Sequence, residues 1–340
     1  MPTVTLKVKN DITKFDKQAK SGFFDMYKVK KKTILDKFGA LFRTYPSDGP
    51  SEKYPHAGAT PQLQDYEEGN VPVSELSAET QTIENKTSGM AVAVGLEFFE
   101  DIDRMPGAKQ MYLEKIQGLS IRAANWKVKL MADAILRTGR FAAAVCWDGE
   151  ALFSTSHTNA SNIIDTGTSN SYTTAQLKAE HNALLDASTA MKDPQGEDYL
   201  REEAPNKWLF LVDPQVLTDY AQFYRAMQIP SFDAVAAAVA NILAPGNKEM
   251  AKGIDGLGND VYLVGWSRLR DQSMTIALDI SGELPGPPPI IDQERIAPAL
   301  TTLGFGSDMT EVAEQLWWKV RMRGGMGYGD FCKIFKIDKS

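Results

Sequence analysis

Apolar and polar positions alternate with different periods along this chain, and the period changes mark its elements. Near the start, "TVTLKVK" (3–9) sets Val4, Leu6 and Val8 against Thr and Lys, which predicts a short exposed strand. "DMYKVKKKTILDKFGALF" (25–42) predicts a helix with Ile34, Leu35, Phe38 and Leu41 on one side. Residues 43–76 are dense in Pro, Gly and acidic side chains and hold no helical period. About thirty structureless residues are unusual inside a compact domain, so this stretch is expected to be a functional loop, a disordered linker or a segment ordered by a partner. "GMAVAVGLEFFED" (89–101) then places Met90, Val92, Val94, Leu96 and Phe98 on one face and Ala91, Ala93 and Gly95 on the other, a strand pattern. With "TQTIENKT" (80–87) it predicts a two-stranded projection or hairpin arm.

The strongest pattern runs from Pro106 to Gly139. Tyr112, Ile116, Leu119, Ala123, Trp126, Leu130 and Ala134 recur at spacings of three and four, with Pro near the start and Gly past the end. A helix over about 107–138 would span roughly 48 Å, long enough to be a spine for other parts. The heptads of a coiled coil are not kept. Beyond it, "FAAAVCW" and "ALFS" flank Asp148-Gly149, a hairpin signal. "HTNASNIIDTGTSNSYT" (157–173) reads as a loop, and 173–191 as a helix capped by Thr173 or Thr174.

A second α/β region follows. "KWLFLVDP" (207–214) predicts a buried strand, with Asp213 capping a helix that starts at Pro214. Residues 232–244 are alanine-rich and predicted helical; 260–266 and 273–280 predict strands, and "PGPPP" (285–289) a rigid loop. "EQLWWKVRMRGGMGYGDFCKIFKI" (314–337) predicts strand, glycine turn, strand, with Trp318, Val320 and Met322 alternating against Lys319, Arg321 and Arg323. No internal repeat of fixed period is visible.

Composition narrows the functional class. The 340 residues are 43% hydrophobic and 24% charged, the make-up of a globular protein with a real core. A net charge of −7 argues against a dedicated nucleic-acid binder, and the basic run Lys28 to Lys32 is too small to reverse it. Two cysteines, Cys146 and Cys332, form no CxxC pair and read as reduced thiols. No run of about 18 apolar residues predicts a membrane span, and the start lacks a signal-peptide layout.

The chemical motifs are thin. Cys146 and His157 are the candidate nucleophile and base, with Ser154 and Ser156 between them. The strand pattern, however, sets Cys146 among apolar neighbours, where a thiol is inert. Neither serine lies in a G-x-S-x-G elbow. His56, His157 and His181 lie in three different elements and give no metal-ligand pair. The glycine run 324–329 opens no helix, so it reads as a hairpin loop needing positive φ rather than a phosphate cradle. "GIDGLGND" (253–260) lacks a preceding strand. No catalytic, cofactor-binding or metal residue is nominated and no cofactor is expected.

The order of arm, loop with hairpin, spine helix, α/β region and closing strands resembles the tailed-bacteriophage major capsid protein. That Hong Kong phage-type fold is shared with herpesvirus floors and encapsulins. Locally, "VGLEFFEDID", "DGEALFSTSH", "WLFLVDPQVLTDYAQFY" and "VRMRGGMGYGDFCKIFKI" are similar to the Mu-like major head subunit family, over roughly 90–225 and 310–340. The resemblance implies an α+β phage major capsid fold with an N-terminal arm (1–44), an extended loop and hairpin (45–100), a peripheral domain carrying the spine helix (101–185), an axial α/β domain (186–305) and C-terminal strands returning to the peripheral domain (306–340). It implies no enzyme activity. The expected function is a structural virion protein that self-assembles into pentamers and hexamers of an icosahedral head around double-stranded DNA. Implied partners are further copies of the chain, scaffolding, portal and decoration proteins, with the DNA enclosed without sequence-specific binding and no membrane. The protein is expected in the virion, made in the bacterial host cytoplasm, with scaffolding supplied separately or by a leader absent from this chain. An encapsulin-like or gene-transfer-agent shell is the alternative, and an α/β enzyme using Cys146 and His157 the remote one.

Overall fold

The structure, a computed structural model, describes residues 6–57, 78–101, 107–157, 160–165, 172–191, 205, 207–226, 251–254, 260–270, 272–282, 288–303 and 315–339. It opens with a 33-residue helix, α1 (Leu6–Phe38), where a strand was expected over 3–9. The local alternation is overruled by a longer period. Val8, Ile12, Phe15, Ala19, Phe23 and Tyr27 are all buried and recur at helical spacing. Each such large side chain contributes about 1.5–3 kcal/mol when removed from water, so a few alternating residues cannot compete. The helix expected over 25–42 is the last part of α1. Phe38 and Leu41 are buried there, whereas Leu35 points to solvent.

α1 lies along the spine. The sequence predicts a helix over 107–138, and a helix α3 (Ala108–Ile135) forms there. Its 28 residues span about 42 Å. Leu113, Ile116, Leu119, Ala123, Leu130 and Ala134 are buried along one stripe. Arg137 and Gly139, both at positive φ (51° and 57°), turn the chain out of the helix.

The segment expected to be structureless over 43–76 holds two strands, β1 (Phe42–Pro46) and β2 (Ser51–Ala57); residues 58–77 lie outside the described set. The expected hairpin over 80–98 also pairs differently. β3 (Ala78–Glu84) pairs antiparallel with β2 and forms the projection. After the corner at Asn85, β4 (Lys86–Gly95) joins another sheet, and a short helix α2 (Leu96–Glu100) follows. Met90, Val92 and Val94 share the face turned to the core as predicted, but the strand stops at Gly95, so Phe98 is buried from a helix.

A four-stranded sheet forms from β1, β4, β10 (Ile290–Leu303) and β11 (Gln315–Tyr328) in the order β1-β10-β11-β4. Its inner face, with α1, α2 and α3, encloses a core of Phe15, Phe99, Ile116, Leu316, Trp318 and Val320. Phe15 meets the Trp318 ring edge-on at 5.3 Å. The glycine run predicted as a hairpin loop instead continues β11 as far as Tyr328. Gly324 and Gly325 pair with Glu294 and Gln293 of β10. They are needed for closeness, not for positive φ. A Cβ at Gly324 would stand 2.2 Å from the Gln293 carbonyl oxygen, and one at Gly325 2.5 Å from that of Glu84, where β3 crosses the sheet.

A six-stranded sheet, β5-β12-β9-β6-β8-β7, forms the other half. Its strands are β5 (Ile163–Asp165), β6 (Lys207–Val212), β7 (Ala251–Ile254), β8 (Asp260–Gly265), β9 (Met274–Asp279) and β12 (Ile334–Asp338). The predicted strands at 207, 260 and 273 are all here, and β5 interrupts what was expected as a plain loop over 157–173. Two helices cover it, α4 (Thr174–Thr189), capped by Thr173 accepting from the Gln176 amide, and α5 (Leu217–Ala226). Asp213 does not cap α5. Its carboxylate accepts from the Gln215 amide in a turn, and the helix starts at Leu217. The helix expected at 232–244 lies outside the described residues, as do 255–259 of "GIDGLGND" and 285–287 of "PGPPP". The chain changes sheets late: β10, within the expected axial unit, pairs in the four-stranded sheet, and β12, among the expected closing strands, pairs in the six-stranded one.

The glycine geometry makes a paired prediction. Gly324→Ala must push the β10 backbone away and should cost about 1–3 kcal/mol. Gly118→Ala, inside α3 with nothing within 4 Å of the new methyl, should stabilise by about 0.5–1 kcal/mol. Thermal unfolding of the two variants should move in opposite directions.

Candidate functional site

The segment after α3 contains the expected nucleophile and base. Asp148-Gly149 does turn the chain: the Gly149 amide donates to the Cys146 carbonyl at 3.1 Å, and Gly149 sits at φ 84°. The flanking stretches are not ladder strands, because Arg137 and Arg140 belong to a tight exit from α3 and Phe141 to a short 3-10 turn (Gly139–Phe141). His157 is fully buried. Its Nδ1 lies 2.6 Å from Asp148 Oδ2, and its Nε2 3.2 Å from the Leu152 carbonyl, which also accepts from Asn162 Nδ2 at 2.7 Å. The imidazole stacks on Phe331 at 3.7 Å, and Trp147 stacks on that same ring at 5.3 Å. The Cys146 thiol is buried, and burial, with Asp148 and Asp330 adding, pushes its pKa far above the ordinary thiol value. Ser154 donates its hydroxyl to Glu150. The geometry is that of a clamp: histidine holds the turn to the following loop and to Phe331 near the C-terminus.

The other histidines are apart from it. His181, on α4, is buried with its Nδ1 3.2 Å from the Tyr224 hydroxyl, and His56 is a residue of β2. Among the described residues no group of three His, Cys, Asp or Glu could hold a metal.

The polar centre that organises the molecule is elsewhere. Lys127 of α3 reaches Asp292 Oδ2 at 2.6 Å and Glu294 Oε2 at 2.8 Å, both on β10. Asp292 also accepts from Thr44 of β1 at 2.7 Å, and Lys31 of α1 stands 3.8 Å from Glu294. Asp292 is 1% exposed and Lys127 11%, so the charges are genuinely desolvated. Burial alone would lower the Lys127 pKa, but Asp292 and Glu294 outweigh it and hold the ammonium above the ordinary lysine value. Burial would likewise raise Glu294; Lys127 outweighs it and the net shift is downward. Beside them burial pushes Tyr27 up to about 12. Sequence reasoning missed this centre, although a signal was present. Lys127 stands four residues after Ala123 and three before Leu130, in the middle of the apolar stripe.

Two further nodes tie elements together, one within each half. Asp16 of α1 accepts from Lys20 at 2.7 Å, from the Trp318 indole at 3.1 Å and from the Thr302 hydroxyl, joining α1 to β10 and β11. Lys339, just past β12, lies 2.8 Å from Glu180 of α4 and 3.9 Å above the Tyr172 ring. The β2–β3 projection is rooted at the same side as the clamp. Asn85 donates to Ser47 and to the Gly49 carbonyl, and Gln81 donates to the Val145 carbonyl at 2.8 Å across an open groove of about 420 Å³.

Lys127→Met should destabilise by about 3–5 kcal/mol, because it leaves Asp292 buried without its counter-charge; chemical denaturation measures it. Glu294 has a folded pKa below its ordinary 4.5. Its contribution is therefore complete above that value and is lost as pH falls through the lower folded one. The stability gap between the natural chain and Glu294→Gln should be open at neutral pH and closed in strong acid, read by urea unfolding at both.

A known structure shares this construction. The capsid of a native GTA particle superposes with a TM-score of 0.52 at 12% identity, covering 89% of this chain and 90% of that one, which shows a common fold. A virus-like particle from Pyrococcus furiosus is similar at 11% identity (TM-score 0.49, 95% and 98% covered), and the procapsid of bacteriophage JBD30 at 17% (TM-score 0.44, 94% and 74% covered). No curated protein matches the sequence. The model of the Mu-like prophage major head subunit gpT matches residues 17–194, more than half of the chain. The matched span takes in most of α1, the projection, the spine helix, the clamp and α4, so the chain belongs to the Mu-like prophage major head subunit family and is a major capsid structural protein.

Proposed function

We propose that copies of this chain close into pentamers and hexamers of an icosahedral head that encloses double-stranded DNA, as a component of the virion made in the host cytoplasm. The observation that carries this reading is the projection. Among the described residues β2 and β3 pair only with each other, yet Asn85, Ser47 and Gln81 fix their root to the body of the subunit. A two-stranded ribbon has little independent stability in water, so a ribbon held out from a rigid base is built to be covered by another subunit. Closed symmetry then multiplies modest contacts. The organisation we assign is an arm (1–44), an extended loop (45–100), a peripheral unit (101–185), an axial unit (186–305) from which β10 returns to the four-stranded sheet, and closing strands (306–340) of which β12 joins the six-stranded one. Scaffolding, portal and decoration proteins are the proposed partners. The buried pairing of His157 with Asp148 supports a structural rather than a catalytic role for Cys146 and His157. Family membership in a prophage head group favours a phage head over an encapsulin-like or gene-transfer-agent shell.

Negative-stain electron microscopy of the chain produced with its scaffold should show closed shells. Replacing residues 52–83 with a short Gly/Ser linker should leave the subunit folded by circular dichroism and abolish the shells. A chain that remains monomeric under every assembly condition would overturn the reading.

A further inference from the structure

The four-stranded sheet ends on β4, which pairs with β11 along one edge and makes no other backbone hydrogen bond among the described residues. Past Lys86, the described part of this edge lacks the usual protection. From Gly89 to Gly95 it carries no charge, no proline and no bulge against β11. Such a strand is a template for another strand, and two features say which one.

The first is symmetry. Gly89-Met90-Ala91-Val92-Ala93-Val94-Gly95 has nearly the same size order read in either direction. Antiparallel pairing with itself about Val92 sets Gly89 against Gly95, Met90 against Val94 and Ala91 against Ala93. In that register the outer faces also match. Trp317, 44% exposed, lies beside Ala93, and Lys319 lies beside Ala91. The row across the junction would run Leu303, Trp317, Ala93, then Ala91, Lys319 and Thr301 of a second copy, with the two alanines leaving room for the indole to lean toward the ammonium. The second feature is charge. Lys86 is exposed at one end of β4, and Glu97 and Glu100 are exposed at the other, on α2. Antiparallel pairing brings the lysine of each copy to the glutamates of its partner at both ends.

We infer that β4 is a twofold contact, pairing edge to edge with β4 of a second copy and joining two sheets into one across neighbouring subunits. The inference rests on the reading that copies of this chain assemble, and adds which edge they share. A contact of one strand is weak alone and gains strength when repeated around a closed shell.

Disulfide trapping tests it on the full chain. Val92 is its own partner at the dyad, so Val92→Cys should give disulfide-linked dimers on mild oxidation. Ser88→Cys should not, because its two copies would lie about 26 Å apart. The native cysteines are both buried and serve as background. Ala91→Cys mixed with Ala93→Cys, two outward-facing substitutions, should cross-link about tenfold more than either alone, since each opposes the other. Shells that form while Val92→Cys and the mixture stay unlinked overturn the edge pairing and leave the head reading standing. Linking of Ser88→Cys as readily as Val92→Cys overturns the register. A chain that neither assembles nor cross-links overturns both readings.

Discussion

The buried ammonium of Lys127 is the constraint around which this subunit is arranged. A desolvated charge must find its counter-charges within the fold, and here they are Asp292 and Glu294 of β10, which Thr44 of β1 and Lys31 of α1 contact in turn. Three distant parts of the sequence, α1 with β1, α3 and β10, therefore have to arrive together. Apolar burial would tolerate α3 sliding along the sheet; an ion cluster with distances under 3 Å does not. The spine helix is thereby fixed against the sheet that ends on β4 and over which the projection is rooted.

Rigidity at the base gives the extended parts their use. The projection is a ribbon with little core of its own, and its direction is set by Asn85 and by the close crossing of β3 over Gly325 and Gly327. The glycines in β11 are there because β3 crosses directly over it and β10 runs close beside it. Beside the projection's root, the His157–Asp148 clamp and Phe331 bind the exit of the spine to the end of the chain. Lys339 does the same for β12 against α4. A shell subunit has to transmit contact forces between distant interfaces, and these polar nodes join elements that apolar packing alone would leave free to shift.

Much of the fold was legible in the residue pattern. The long period of α3, the buried strands at 207, 260 and 273 and the turn at Asp148-Gly149 all follow from apolar spacing and turn chemistry. Family membership was legible too, from short stretches around the spine. What misled was local. Three alternating residues outweighed the longer helical stripe of α1, which becomes apparent only when Phe15, Phe23 and Tyr27 are counted with Val8. Pro and Gly over 43–57 signalled loop, yet β1 finds β10 and β2 finds β3 as partners.

The sequence by itself determined which segments are helical or extended when their period is long, and which residues seek the core, because those preferences act between near neighbours. Only the tertiary structure decided pairing. It sent β4 to β11 rather than to β3, made the glycine run a strand rather than a loop, and placed Lys127 against Asp292, 165 positions away. Such partners are chosen by approach distance and desolvation, which exist only once the chain has closed on itself.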